Sequence, residues 1–199
     1  MGESARVLPT FDELYAEIWQ LPEHLTGEIL EPGVVRTMSR PGARHQFASR
    51  RIARSLADHD LLESGRGWWF EIEREVRLGD RLMVPDIAGW RVEEAPAFVD
   101  ENPILIVPDW CCEILSPSTA RDDRLLKLPL YARLGVEWIW LVDVRAHSVE
   151  VFRSHEQLPA LVHAARDDEG AVLPPFGSTF EVGRYWKPSP SAVTPTEER

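Results

Sequence analysis

Two carboxylates lie inside apolar segments of this chain, where an ionised side chain is costly. Glu113 is in the middle of Trp110–Leu115, a short apolar run that ends at a Ser-Pro pair and is typical of an interior strand. Asp86 lies in a second apolar segment, 82–90, which also predicts a strand. A buried carboxylate is tolerated when it is paired, hydrogen-bonded or bound to a metal ion. If the two strands are neighbours, both acids could bind one Mg²⁺, which prefers carboxylate oxygens completed by water.

Lys127 is a third residue whose chemistry fits such a site. The chain has 20 arginines but only two lysines, and the other lysine lies near the C-terminus. An ammonium is a compact charge that can orient and help activate a water, whereas a guanidinium favours planar, two-pronged contacts. Tyr131 lies four residues later, on the same face of the predicted helix, and could support Lys127. The alternative is an ordinary helix lysine, solvated or paired with Asp122 or Asp123.

The elements that must position these residues follow from the hydrophobic pattern. Helices are predicted over 11–20 and 43–62, and a hairpin is predicted where 27–31 and 34–38 flank Pro32-Gly33. Strands are predicted over 68–78 and 82–90. The interior strand is followed by a helix that carries Lys127 and ends at Gly135, and then by a buried strand over 138–142. Strands, a crossover helix and further strands predict an α/β protein with a mixed central sheet.

A basic stripe occupies 36–54, where arginine is frequent and no acid occurs. A net charge of −11 argues against non-specific binding to DNA by the whole surface, so this stripe is the candidate contact for a phosphate backbone. The alternative is a solvated helix face. His45 belongs to the inward face of the predicted helix, as a hydrogen-bonded core residue or as a supporting residue of the site. The candidate nucleic-acid-binding residues are Arg40, Arg44, Arg50, Arg51 and Arg54.

The segments around these residues resemble a known family. The strings are Val-Pro-Asp-Ile-Ala-Gly-Trp at 84–90, Pro-Asp-Trp-Cys-Cys-Glu-Ile-Leu-Ser-Pro-Ser-Thr at 108–119, Lys-Leu-x-x-Tyr-Ala at 127–132 and Trp-Leu-Val-Asp at 140–143. In combination they resemble the Uma-two family of restriction-endonuclease-like proteins, which is grouped with the PD-(D/E)XK nuclease superfamily. The similarity extends over about residues 27–152.

The resemblance implies a restriction-endonuclease-like, three-layer α/β/α fold and an enzyme that cleaves phosphodiester bonds with Mg²⁺ or Mn²⁺, and we expect DNA to be its substrate. Asp86 and Glu113 match the two strand acids of the family, and Glu28 matches an early acid that would complete the metal site. The superfamily pattern has a lysine two residues after the second acid, and Leu115 occupies that position here. Lys127, in the family's Lys-Leu-x-x-Tyr pattern, would then supply the catalytic amine from the helix.

Length and composition set the remaining expectations. A chain of 199 residues predicts one domain over 10–186, with a flexible N-terminus over 1–9 and a disordered tail over 187–199. No signal peptide and no apolar run of membrane-spanning length are recognisable. Cys111 and Cys112 are adjacent, which disfavours a disulfide and predicts reduced core residues of a cytoplasmic protein. By analogy with nucleases that cut both strands, a homodimer is expected.

Two other functions remain open at this stage. One is a non-catalytic binding or assembly protein that keeps the nuclease fold, which the missing lysine at position 115, the acidic net charge and the eight tryptophans favour. The other is a phosphoesterase that acts on a small phosphate ester.

Overall fold

A mixed six-stranded sheet forms the centre of the fold. The structure, a computed structural model, describes residues 8–61, 65–95, 102–166 and 170–186. The helices are α1 (Phe11–Ile18), α2 (Ala43–Ser55), α3 (Ala120–Asp122) and α4 (Leu128–Leu134), with a π turn at Asp123–Lys127 and a 3₁₀ turn at Val182–Tyr185. The strands are β1 (Leu25–Glu31), β2 (Val34–Ser39), β3 (Trp68–Ile72), β4 (Val76–Leu78), β5 (Arg81–Met83), β6 (Ile87–Arg91), β7 (Trp110–Leu115), β8 (Trp138–Asp143), β9 (Ser148–His155), β10 (Leu158–Arg166), β11 (Gly170–Val172) and β12 (Thr179–Glu181).

Strand β7 lies inside the six-stranded sheet, whose order is β10-β9-β8-β7-β6-β3. It runs parallel to β8 and antiparallel to β6, and the other pairs are antiparallel. The parallel pair requires a crossover, which α3, the π turn and α4 provide. All six residues of β7 are buried, as the apolar run at this position predicted.

The two faces of the sheet are covered by different helices. Along β7, Cys111 and Leu115 pack in the same cluster as α4, whereas Cys112 and Ile114 pack with Ile52 of α2. This alternation, which follows from the period of two in a strand, makes α4, the sheet and α2 three successive layers. The expected mixed α/β architecture is therefore confirmed. Both cysteines are free and buried, also as predicted.

A second sheet, ordered β2-β1-β5-β4, lies beside the first. The predicted hairpin is present, with Gly33 in the left-handed region at a φ of 82°. Helix α1 packs on this sheet because Phe11 and Leu14 contact Ile29 and Leu82. The side chain of Thr10 accepts the backbone N–H of Glu13 and so begins the helix.

Two strands predicted as continuous are each broken, and the breaks correct the predicted setting of Asp86. The segment 82–90 divides into β5 and β6, so Asp86 lies in the link between them rather than within a strand. Pro85 has no N–H for a ladder, and the N–H of Val84 is donated to the carboxylate of Glu28 instead. The segment 68–78 divides into β3 and β4. In the link between them, Glu73 has a φ of 51° and donates its N–H to the carbonyl of Asp86, so the two breaks lie side by side.

Helix α2 ends at Ser55, seven residues before the predicted end at 62. The Ser55 hydroxyl donates to the Ile52 carbonyl and competes with the helical pattern. Beyond this point the chain turns, and Asp60 forms a bridge with Trp68 at the edge of the central sheet.

The segment that carries Lys127 is not a regular helix throughout. The π turn precedes α4, in which Pro129 is the second residue, and the N–H of Leu128 bonds the carbonyl of Asp123. Proline is tolerated in a first helical turn, and the wider turn before it avoids the clash that a regular helix would produce. Thr119 precedes α3 without capping it, because Thr119 has helical dihedrals and its hydroxyl bonds Ser116.

The predictions for the two termini concern residues that the structure mostly does not describe. The predicted flexible N-terminus, except residues 8 and 9, and the predicted tail over 187–199 lie outside the described residues. Within the described ranges, no helix is long and apolar enough to cross a membrane.

Candidate active site

Four residues singled out in the sequence line one cavity of about 580 Å³, called the main cavity below. They are His45 from α2, Asp86 from the β5–β6 link, Glu113 from β7 and Lys127 from the π turn. They come from four separate elements of the chain. The main cavity therefore joins the residues to which the sequence assigned the chemistry, with the exception of Glu28.

Asp86 is held in place by two hydrogen bonds at one oxygen. Its Oδ2 accepts the backbone N–H of Ile114 at 2.6 Å and lies 2.9 Å from Nε2 of His45. An ionised carboxylate only accepts, so this contact is a hydrogen bond in the tautomer of His45 that carries its proton on Nε2. The β6–β7 ladder ends where Ile87 pairs with Cys112, and Asp86 and Glu113 are the next residues of their two segments. The two acids are thus neighbours across adjacent chain segments, as the sequence suggested.

Glu113 is buried, and two donors meet at one of its oxygens. Its Oε1 lies 2.9 Å from Nζ of Lys127 and also accepts the hydroxyl of Tyr131. Burial raises the pKa of Glu113 well above its ordinary value, and the nearby carboxylates of Asp86, Asp123 and Glu28 add to the rise, while Lys127 opposes it. Burial and Glu113 likewise raise the pKa of Tyr131, so this phenol stays protonated and donates.

Lys127 lies between two acids and is only 3% exposed. Its Nζ is 3.0 Å from Oε1 of Glu28 and 2.9 Å from Oε1 of Glu113. Burial alone would lower the pKa of this ammonium, but Glu113, Glu28 and Asp123 outweigh burial and raise the pKa well above its ordinary value. Lys127 is therefore a permanent cation at neutral pH. Its proposed supporting residue, Tyr131, contacts the same Glu113 oxygen.

Glu28 is placed differently from the other two predicted metal ligands. It is buried in β1 and accepts the N–H of Val84 at 2.8 Å as well as bonding Lys127. It lines a second cavity of about 250 Å³, together with Asp123 and Lys127, and it does not line the main cavity. Lys127 thus separates Glu28 from the space between Asp86 and Glu113.

Asp123 is a buried acid that the sequence suggested only as an ion-pair partner of Lys127. It lies in the π turn with its Oδ1 4.0 Å from Nζ of Lys127, and it lines both cavities. Burial raises the pKa of Asp123 to about 6, although Lys127 and a hydrogen bond from Thr119 oppose the rise. The signal that could have identified it is the spacing of four residues from Lys127 on a helical segment.

The side chains around Lys127 fit a divalent cation, because they include several acids and two carboxylate oxygens that no described residue bonds. The acids Glu28, Asp86, Glu113 and Asp123 surround a single ammonium, and a divalent cation would offset the mutual repulsion that helps to raise the pKa of Glu113. In the described part of the chain no residue bonds Oδ1 of Asp86 or Oε2 of Glu113. Among all the residues that the structure describes, no three His, Cys, Asp or Glu side chains converge on one point. Two carboxylates with completing waters are nevertheless a set that Mg²⁺ accepts.

The five candidate nucleic-acid-binding arginines are exposed. Arg40 lines the main cavity and its side chain donates to the carbonyl of Glu23, and Arg51 lies over the ring of Phe47. Arg36, the first arginine of the stripe, is instead partly buried and pairs with Glu31 and Asp122. The exposed arginines form a basic face that begins at the main cavity and continues along α2.

Comparison with known proteins identifies a family and a similar fold. The family described as "Uma2: Putative restriction endonuclease" matches residues 15–183. The structure is similar to the "Crystal structure of a putative nuclease belonging to DUF820 from Anabaena variabilis ATCC 29413", with a TM-score of 0.69 and 22% identity, over 89% of this chain and 97% of that chain. At this identity the similarity establishes a shared fold. No curated protein matches the chain.

Proposed function

The chain belongs to the Uma2 family, and from this premise we propose that it is a metal-dependent nuclease that hydrolyses phosphodiester bonds of DNA. The observation that carries the proposal is the placement of a buried ammonium, Lys127, 2.9 Å from Glu113 in a cavity that Asp86 also lines. Carboxylates beside a fixed cation are what phosphoryl chemistry needs, because that chemistry depends mainly on positioning and charge stabilisation.

Asp86 and Glu113 are the residues proposed to hold Mg²⁺ or Mn²⁺, each through the oxygen that has no protein partner in the described residues. When bound, such an ion supplies a water of lowered pKa and neutralises charge on a phosphate oxygen. His45 acts on the site by fixing the orientation of the Asp86 carboxylate. Tyr131 does the same for Glu113 from the opposite layer.

Lys127 is proposed to orient the attacking water and to stabilise charge. Because its pKa is raised well above the ordinary value, Lys127 remains protonated and is a hydrogen-bond donor rather than a base. Glu28, which matches an early acid of the family, contributes by holding Lys127 in place. A direct role for Glu28 as a metal ligand would need its carboxylate to reach the main cavity, where it does not lie.

The walls of the main cavity offer donors for a phosphate. The hydroxyls of Ser116, Ser118 and Thr119 line it and bond one another, and Arg40 lies at its rim. Hydroxyls and arginines are the side chains that most often contact phosphate oxygens. The basic face along α2 is proposed to continue these contacts along the strand, and a homodimer in the cytoplasm is part of the same proposal.

The decisive experiment compares the wild type with Asp86→Asn and Glu113→Gln in cleavage of a DNA panel with Mn²⁺. We expect the wild type to cut and each variant to lose at least about 100-fold in rate. Leu125→Met, at an exposed site in the π turn, is the matched control and should cut normally. Equal cleavage by wild type and the two acid variants would contradict the mechanism. Binding of Mn²⁺ without cleavage of any polynucleotide would favour a non-catalytic role, and cleavage of small phosphate esters alone would favour a phosphoesterase.

A further inference from the structure

Trp19 is an exposed tryptophan at the rim of the main cavity. It is 70% exposed, whereas the other tryptophans among the described residues are buried or half-buried. The same cavity has Asp86 and Glu113 in its wall, so an exposed indole and the proposed reaction centre share one space. Isolated apolar side chains on a surface are common, so exposure alone assigns no role. Evidence for a role comes from the contacts that support the ring and from the residues around it.

The ring of Trp19 is held from below. Trp19 follows α1, and its N–H bonds the carbonyl of Tyr15 at 3.1 Å. The two rings are nearly perpendicular, at 83°, with centroids 6.1 Å apart. The Tyr15 hydroxyl donates at 2.6 Å to Glu75, whose same oxygen accepts the side-chain amide of Asn102 at 2.8 Å. A supported ring loses little freedom when a flat ligand stacks on it.

The rim around Trp19 combines apolar and cationic groups. Leu21, Pro22, Pro41 and the exposed Arg40 line the same cavity as Trp19, which also includes the acids Glu23, Glu73 and Glu75. A nucleotide has the complementary parts, because its base has two apolar faces and its phosphate is an anion. An aromatic platform beside a basic groove is the arrangement by which proteins bind single-stranded nucleic acid.

We propose that Trp19 is a base-stacking platform and that the substrate class of the main cavity is nucleic acid with an unpaired nucleotide. In a duplex the base faces are covered by neighbouring bases, so only an unpaired or extruded base can lie on a side-chain ring. A concave cavity of about 580 Å³ is of the size that encloses one small ligand. The inference rests on the proposed nuclease function and specifies which substrate it takes.

Binding of a short fluorescently labelled oligothymidylate, measured by anisotropy with EDTA present so that no turnover occurs, tests the platform. Trp19→Ala should weaken this binding by about 5- to 100-fold, and Trp19→Phe should retain most of it, because any aromatic ring can stack. A labelled, blunt-ended duplex without unpaired nucleotides should bind Trp19→Ala and wild type alike. Leu158→Ala, which removes an equally exposed apolar side chain on β10, is the matched control and should change neither affinity.

Three results would overturn the platform: unchanged oligothymidylate binding by Trp19→Ala, an equal loss for oligothymidylate and duplex, or no binding of oligothymidylate by the wild type. The test is independent of the cleavage experiment. If the wild type shows no Asp86-dependent cutting but Trp19 still governs single-strand affinity, the nuclease function fails and the platform stands as a binding site. If cutting depends on Asp86 and Trp19→Ala binds oligothymidylate as wild type does, the platform alone fails.

Discussion

The Nζ atom of Lys127 lies 2.9 Å from Oε1 of Glu113, with both side chains buried. The two residues come from different layers, since Glu113 is in the central sheet and Lys127 is in the turn that crosses over it. In the superfamily pattern that the sequence resembles, a lysine lies two residues after the acid on the same strand, and Leu115 occupies that position here. Lys127, which occupies the lysine position of the family's Lys-Leu-x-x-Tyr pattern, lies in the crossover segment and contacts the carboxylate of Glu113 from there.

Lys127→Met should destabilise the fold as well as stop cleavage. Removing the ammonium leaves Glu28 and Glu113 buried without their cation, and breaking a buried pair in this way costs about 3–5 kcal/mol. Urea denaturation in EDTA measures the loss. Leu125→Met, in the same turn but exposed, should stay within about 0.5 kcal/mol of wild type. An unchanged midpoint for Lys127→Met would show that these acids are not ionised together.

His45→Ala should weaken metal binding without removing a ligand. His45 holds Oδ2 of Asp86 at 2.9 Å, and loss of such an orienting partner typically costs about 10- to 100-fold in metal affinity. Titration calorimetry with Mn²⁺ gives the affinity directly. Arg44→Ala, the adjacent and exposed position on α2, should bind Mn²⁺ as wild type does. If His45→Ala matches wild type, Asp86 either does not bind the ion or does not depend on His45 for its orientation.

Asp123→Asn should stabilise the metal-free protein at neutral pH but not in acid. The folded-state pKa of Asp123 is raised by burial from 3.8 to about 6, so the folded state prefers the protonated acid. The resulting penalty is present in full above about pH 6 and disappears below about pH 4. Thermal unfolding in EDTA across this window should show the variant above wild type at neutral pH, with the difference closing as pH falls. A stability difference between Asp123→Asn and wild type that grows as the pH falls would contradict a raised pKa of Asp123.

Replacing the α2 arginines should reduce the salt dependence of DNA binding. Each phosphate contact contributes about 0.9 to the slope of log affinity against log salt for a duplex, and about 0.7 for a single strand. The triple variant Arg50→Ala, Arg51→Ala, Arg54→Ala should therefore flatten the slope, as measured by anisotropy over a salt series. Arg145→Ala, exposed in the turn after β8, should leave the slope unchanged. A slope that responds only to Arg145 would place the DNA on another face.

Local pattern was enough to predict much of this protein. The apolar run around Glu113, the hairpin at Gly33 and the helix end at Gly135 depend on burial periodicity and backbone freedom over a few residues, and the structure has all three. The shared helical face of Lys127 and Tyr131 is of the same kind, because positions four apart are neighbours on a helix even across the π turn.

Tertiary structure alone decided how distant segments meet. The sequence could not show that Pro85 and Val84 break a strand so that Asp86 lies in a link, because the competing acceptor for the Val84 N–H is the carboxylate of Glu28, 56 residues away. Nor could it place Glu28 behind Lys127 or Trp19 at the rim, since these positions depend on how two sheets and a helix pack. Registers and packing are long-range relations, whereas periodicity reports only on which residues each segment buries.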